Sequence, residues 1–490
     1  MRELTGFLLL QCLLAGAGLG VLRALGLLLP GRWPALLALG PALLTGTSLV
    51  VVLLIVLLVI GLPLTLATAA LVGVLVAGAG FALARRRHPA RTAMPSHVAA
   101  PAMVRVRRIA IAVAGAYVVI GAYALARAPT RADDARIWSL KGLTLTYYDS
   151  LRPEIFLNPA TSLSHPVYPL FQPVLEAVLG RAMGQPDLRV FHTELWLLLI
   201  AAMWTVAYLM WWRSARPLRE QVGLALLALL AITPTVISNV WSGYADVTGA
   251  VLLATGAVAM GLWIDQREPG HMWLSAILLA AAANTKDEDT LGVALVLIAA
   301  GVILALRRDR PQLLLWLGST SVCVILILPW RIWTAIHHLT DSVVPPLPRA
   351  LSPVFVLDRL PQLKQTASAM ITQTLAGWGW LAAIFIALCL LSLATRTARS
   401  LAIFYLLTFA ALVAALLWLY TTTPVSLAFL IPTSMSRTVT VFMALTPLAS
   451  AHLLTQLLST STKLDLEASD SGWLDLKQAA PLPNASALPD

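Results

Sequence analysis

The residues able to do chemistry stand at the ends of apolar runs, and each group combines types suited to a different task. Asp133 and Asp134 are adjacent carboxylates followed by Arg136 and Trp138. Such a pair can deprotonate a hydroxyl or simply favour a helix N-terminus. His165, Pro166, Val167, Tyr168 and Pro169 form a rigid turn that leads into an amphipathic stretch, Val174 to Met183, suited to lying on a membrane interface. Tyr244 and Asp246 open another apolar run, where a carboxylate is also a natural helix cap. Lys286, Asp287, Glu288 and Asp289 follow one another, and a lysine there is a compact charge for a phosphate or a solvated turn residue. Arg331 ends one run and Arg437 opens another, and each offers a planar fork of donors that fits phosphate oxygens. His337 and His338 have no partner spacing that suggests a metal site.

The elements that must position these groups are membrane helices. Of 490 residues, 59% are hydrophobic and only 12% are charged, whereas a soluble domain carries about 25% charged residues. Mean hydropathy is +0.82. Candidate spans fall near 7–29, 36–60, 64–84, 109–126, 192–212, 222–238, 246–264, 273–285, 290–306, 312–330, 378–395, 400–420 and 438–458. The fold expected is therefore all-α and polytopic, with about 13 transmembrane helices, between about 11 and 14. The run at 273–285 is short, so either Lys286 is recessed below the membrane surface or its helix is shielded by others. Cys12, Cys323 and Cys389 lie inside apolar runs and read as packing residues. Gly16, Gly18 and Gly20 follow no strand, so they point to close helix packing rather than a phosphate loop.

The net charge of +11 resides mostly in short loops, which argues for membrane orientation and not for nucleic-acid binding. Alternating the helices puts Arg85, Arg86, Arg87, Arg213, Arg216, Arg307, Arg308, Arg396 and Arg399 on one side, the cytoplasmic one. The polar clusters then face outward. Four regions follow: an N-terminal three-helix membrane extension over 1–84, a basic cytoplasmic loop over 85–108, a membrane core over 109–458, and a disordered cytoplasmic tail over 459–490. The core carries external loops at 127–191, 331–377 and 421–437.

The order and sidedness of these pieces resemble the polytopic GT-C glycosyltransferases of bacteria. Ala132-Asp133-Asp134, His165-Pro-Val-Tyr168-Pro, Gly243-Tyr244-Ala-Asp246, Thr285-Lys286-Asp-Glu288, and Tyr420 to Pro424 with Thr433 to Arg437 carry the resemblance, which runs from about Arg108 to Leu458. The resemblance implies an enzyme of the cytoplasmic membrane with an extracytoplasmic active site. It would transfer a sugar, with inversion, from a polyprenyl-phosphate donor to an acceptor hydroxyl. Asp133 or Asp134 would be the general base, and Lys286, Arg331, Arg437 and His165 would contact the donor phosphate. Tyr168, Tyr244, Asp246 and Glu288 would line the substrate site. No cofactor is implied, and a divalent cation stays open. The partners implied are the lipid-linked donor, an acceptor of unstated class and the surrounding lipids. A transporter or flippase of lipid-linked sugars is the main competing reading, although charges avoid the span centres and no internal repeat is evident. A non-catalytic membrane assembly protein is the other.

Overall fold

The computed structural model describes residues 2–28, 37–86, 115–116, 118–124, 127, 135–156, 165–211, 230, 233–339 and 352–458. Asp133 and Asp134, half of the predicted span 109–126, most of the predicted span 222–238, the loop 87–108 and the tail 459–490 lie outside them. Every described element is helical. Nine helices among the described residues are long and apolar enough to cross a membrane, with a tenth if one bent pair counts as a single span. The chain is thus a multi-pass helical membrane protein.

The first three helices are α1 (Arg2–Ala24), α2 (Leu39–Val59) and α3 (Leu66–Arg86). The first run ends five residues earlier than its hydropathy suggests, because Gly26 takes φ +74° and the Leu27 N–H turns back to the Leu22 carbonyl at 2.9 Å. This is the 6→1 bond of a Schellman stop, which needs a residue tolerant of the left-handed region. Gly61 at φ +91° ends α2 in the same way, at the break read from the sequence.

Lipid tails are as apolar as leucine, so these helices gain from close van der Waals approach rather than from hiding from water. The glycines permit it. A Cβ on Gly18 would fall on the Ala42 carbonyl, one on Gly46 on the Leu14 carbonyl, and one on Gly80 on the backbone of Gly20. Gly16 meets nothing and is not part of the seam. The three helices are joined to the rest of the bundle, because α2 also packs against four helices of the membrane core described next.

A π-helical turn, Ala135–Ser139, leads into α4 (Leu140–Tyr148), followed by α5 (Phe171–Met183) and α6 (Leu188–Trp211). The stretch expected to lie on the interface is α5, and it is buried along almost its whole length. Its polar side chains turn inward, with Gln172 Nε2 donating to Glu176 Oε1 at 2.8 Å and to the Gly243 carbonyl at 3.0 Å. Helices α1 and α4 cover it.

Next come α7 (Pro234–Trp241), α8 (Ala245–Gln266), α9 (Pro269–Ala283), α10 (Asp287–Arg307) and α11 (Arg310–Ile336). Helix α8 is the centre of the bundle, with the whole of its apolar window buried. Helix α2 lies against α5, α6, α9 and α11. The chain closes with α12 (Pro353–Arg359), α13 (Pro361–Ala376), α14 (Trp380–Ala394), α15 (Arg399–Thr422) and α16 (Leu427–Leu458). Helices α13 and α14 meet at 95°, with Trp378 at φ +67° in the corner. Leu363, Ile371 and Leu375 of α13 are exposed, whereas α5 is enclosed by protein and does not lie on the surface of the bundle. Cys323 and Cys389 are buried as expected, whereas Cys12 faces outward.

Candidate functional site

The site begins with a helix that is too short. Helix α9 has 15 residues, about 22 Å of rise against a hydrocarbon core of about 30 Å. After its last turn the chain turns at Asn284 and Thr285 into Lys286, which caps α10. Of the two alternatives posed by the sequence, shielding holds: α9 is enclosed by other helices, and Lys286 is itself buried, with 7% of its surface exposed. Asn284 is held by its own Nδ2 donating to the Leu326 carbonyl at 3.2 Å, and its carbonyl accepts the Phe171 N–H at 2.8 Å.

A buried ammonium must be paired to be tolerated. Lys286 Nζ donates to Asp246 Oδ1 at 2.7 Å, and Glu288 Oε1 lies 3.6 Å away. Burial pulls the lysine toward its neutral form. The carboxylates of Asp246 and Glu288 outweigh that and hold it above the ordinary lysine range, with Arg437 opposing them. Asp246 sits in the first turn of α8 and Glu288 in the first turn of α10, where the helix dipoles favour negative charge. The Arg437 guanidinium stands 4.1 Å from the centre of the Tyr244 ring, a stacking that sets the plane of its fork. Arg437 follows a π-helical turn, Ile431–Met435. Tyr420 fastens that segment to the end of α15 by bridging Ser434 Oγ and Thr438 Oγ1, each at 2.8 Å. Wide turns of this kind recur at functional sites because they re-aim side chains.

The turn at 165–168 is held from two sides. Lys141 is fully buried on α4, and its ammonium donates to the carbonyls of His165 at 2.6 Å, Tyr168 at 3.2 Å and Pro166 at 3.4 Å. Trp330 Nε1 donates to the Val167 carbonyl at 2.9 Å. His165 thereby accepts φ +52° and stacks on Tyr168, whose other neighbour is Trp138. The Tyr168 hydroxyl reaches Glu288 Oε1 at 3.4 Å. Lys141→Met removes the ammonium from three carbonyls at once and should cost about 3 kcal/mol. It is checked by the thermal unfolding midpoint in detergent, together with protease sensitivity at 165–168. An unchanged midpoint and digestion pattern would show that the clamp is dispensable.

The structure thus gathers Tyr168, Tyr244, Asp246, Lys286, Glu288 and Arg437 at one end of the bundle, with His165 on the edge of the group. Arg331 is nearby but occupied, its guanidinium bonded to Asp287 and to Thr290 Oγ1 at 2.6 Å. Asp133 and Asp134 lie outside the described residues. The opposite end carries arginines held in polar contacts: Arg307 Nε donates to Ser400 Oγ at 3.1 Å, and Arg267 pairs with Asp309.

Between α8, α10, α15 and α16 lies a narrow cleft, partly open to solvent. Its polar end is formed by Asp246, Lys286, Glu288, Asp289, Arg437 and Thr438. Below that, Leu412, Ala415, Leu416 and Leu419 line it at the spacing of a single face of α15, with Leu253 and Leu291 opposite. The sequence named Asp289 only as a member of its cluster, and Lys141 and this apolar wall did not stand out in it. Lys141 had a visible signal, a lone lysine in a mostly uncharged stretch between the acidic pair and the proline turn. No family model, curated protein or solved structure matches the chain.

Proposed function

We propose that the chain is a glycosyltransferase of the cytoplasmic membrane that uses a polyprenyl-phosphate-linked sugar outside the cytoplasm. One observation carries this reading. The cleft has cations and carboxylates at one end and a two-turn apolar wall below them, the shape of an amphiphile with a phosphate between its head and its chain. A water-soluble metabolite would have no use for the wall, and an ordinary hydrophobic ligand none for the charges.

In this reading Lys286 and Arg437 face the donor phosphate. Lysine has three N–H donors, and Asp246 and Glu288 hold it in place without consuming all of them. The acceptor oxygen attacks the anomeric carbon from the side opposite the phosphate, inverting it. The acceptor proton passes to Asp133 or Asp134, the role implied by resemblance. The bond from the anomeric carbon to the phosphate oxygen breaks with its electron pair on the phosphate. The charge that develops there is met by two fixed cations in a poorly hydrated cleft, where such interactions are strong.

The test uses the full chain in lipid nanodiscs. The parent should bind undecaprenyl phosphate, and membranes containing it should transfer sugar from lipid-linked donors to an endogenous acceptor. Asp133→Asn should lower transfer by about a hundredfold or more while leaving lipid binding intact, as loss of a general base does. Full activity in both Asp133→Asn and Asp134→Asn would overturn the base assignment. A parent that carries lipid-linked sugar across a vesicle bilayer and transfers none would make it a transporter.

A further inference from the structure

Asp289 has no role in the arrangement described so far, and its surroundings are unusual. It lines the polar end of the cleft, is 8% exposed, and its Oδ2 has no hydrogen-bond partner. The neighbouring Glu288 has the same feature at Oε2. Lys286, the nearest cation in sequence, is engaged with Asp246 and Glu288 Oε1. The opposite wall makes room for the acid: a Cβ on Gly249 of α8 would overlap Asp289 Oδ2. Glycine at this point of α8 thus accommodates the carboxyl group, although burying an oxygen of such a group without a hydrogen-bond partner is unfavourable.

What would satisfy it is a ligand group that donates hydrogen bonds. A phosphate does not, and two carboxyl groups side by side repel one. The polar end therefore divides into a cationic half, Lys286 and Arg437, and an acidic floor, Glu288 and Asp289. Consecutive residues in the first turn of α10, both lining the cleft, present acceptor oxygens suited to neighbouring hydroxyls on a ring. We infer that Asp289, together with Glu288, is the sugar subsite of the cleft and binds ring hydroxyls of the donor, while the lysine and arginine hold its phosphate. This rests on the lipid-linked donor proposed above and names which part of that donor each half of the site takes.

Binding is measured on the full chain in nanodiscs with undecaprenyl phosphate and with a set of its hexosyl, pentosyl and aminohexosyl esters. The parent should bind at least one neutral-sugar ester about tenfold more tightly than the bare lipid phosphate. Asp289→Asn and the smaller Asp289→Ser should remove most of that preference and leave the affinity for undecaprenyl phosphate within about twofold. Neither substitution should lower the unfolding midpoint, because each removes a carboxyl group with a buried, unpartnered oxygen. The inference is overturned if both variants keep the preference or if affinity for the bare phosphate falls in parallel. A parental preference confined to aminohexosyl esters would overturn it too, since the floor would then pair with an ammonium group. A parent that binds neither the bare lipid phosphate nor any ester fails earlier, at the proposed function itself.

Discussion

Lys286→Met is expected to destabilise the protein by about 3–5 kcal/mol and to abolish binding of undecaprenyl phosphate. The cost comes less from the bond that is lost than from the charge left behind. Asp246 is 6% exposed, and its Oδ1 accepts the Lys286 ammonium at 2.7 Å. Without that ammonium its carboxylate faces the ring-stacked Arg437 alone, in surroundings too dry to solvate it. Replacing both partners, as in Asp246→Leu with Lys286→Met, should recover much of the stability, because an apolar pair needs no solvation. Lipid-phosphate binding should stay lost in the double variant. Unfolding midpoints and binding measured on the same four proteins form a double-mutant cycle. Recovery of binding along with stability would show that Lys286 supports the fold and does not meet the ligand.

Gly18→Leu is expected to cost about 1–3 kcal/mol or more and to weaken the whole bundle, not the N-terminal helices alone. At this position a Cβ falls on the backbone carbonyl of Ala42, so no side chain can rotate away and the helices must part. Gly46 makes the reciprocal contact with Leu14. Helix α2 is shared between this seam and the core, where it lies against α5, α6, α9 and α11. A shift of α2 is therefore passed to α9, whose last turn leads into Lys286. Thermal unfolding should show one lowered transition, with binding of undecaprenyl phosphate reduced in the same variant. Two separate transitions, with only the first lowered, would restore the N-terminal helices to the status of an independent extension. Gly16→Leu is the control, as nothing lies within contact of a Cβ there.

Much of the architecture was legible because its causes are local. A bilayer demands about 20 apolar residues for each crossing, so the described spans follow the hydropathy of short windows. Gly26 and Gly61 end helices through their own backbone freedom, and Gly18 and Gly20 signal close packing through their missing side chains. The short apolar length of 273–285 was enough to suggest a shielded helix or a recessed Lys286, because rise per residue is a constant of the helix. The gathering of polar clusters at one end follows from counting crossings.

What the tertiary structure decided are the partnerships, which depend on residues far apart in the chain. Lys286 could have met solvent or a ligand alone, and it meets Asp246, 40 residues earlier. Arg331 looked as available for phosphate as Arg437 did, yet it is bonded to Asp287 and Thr290 while Arg437 lines the cleft. The amphipathic pattern of α5 was real, but an amphipathic helix satisfies its polar face equally well on a backbone carbonyl such as that of Gly243 as on water. Asp289 read as one more acid in a solvated turn, and only the approach of α8 at Gly249 encloses it. Spans are determined by the membrane acting on each segment by itself, whereas a site is determined by which segments the packing of the others brings together.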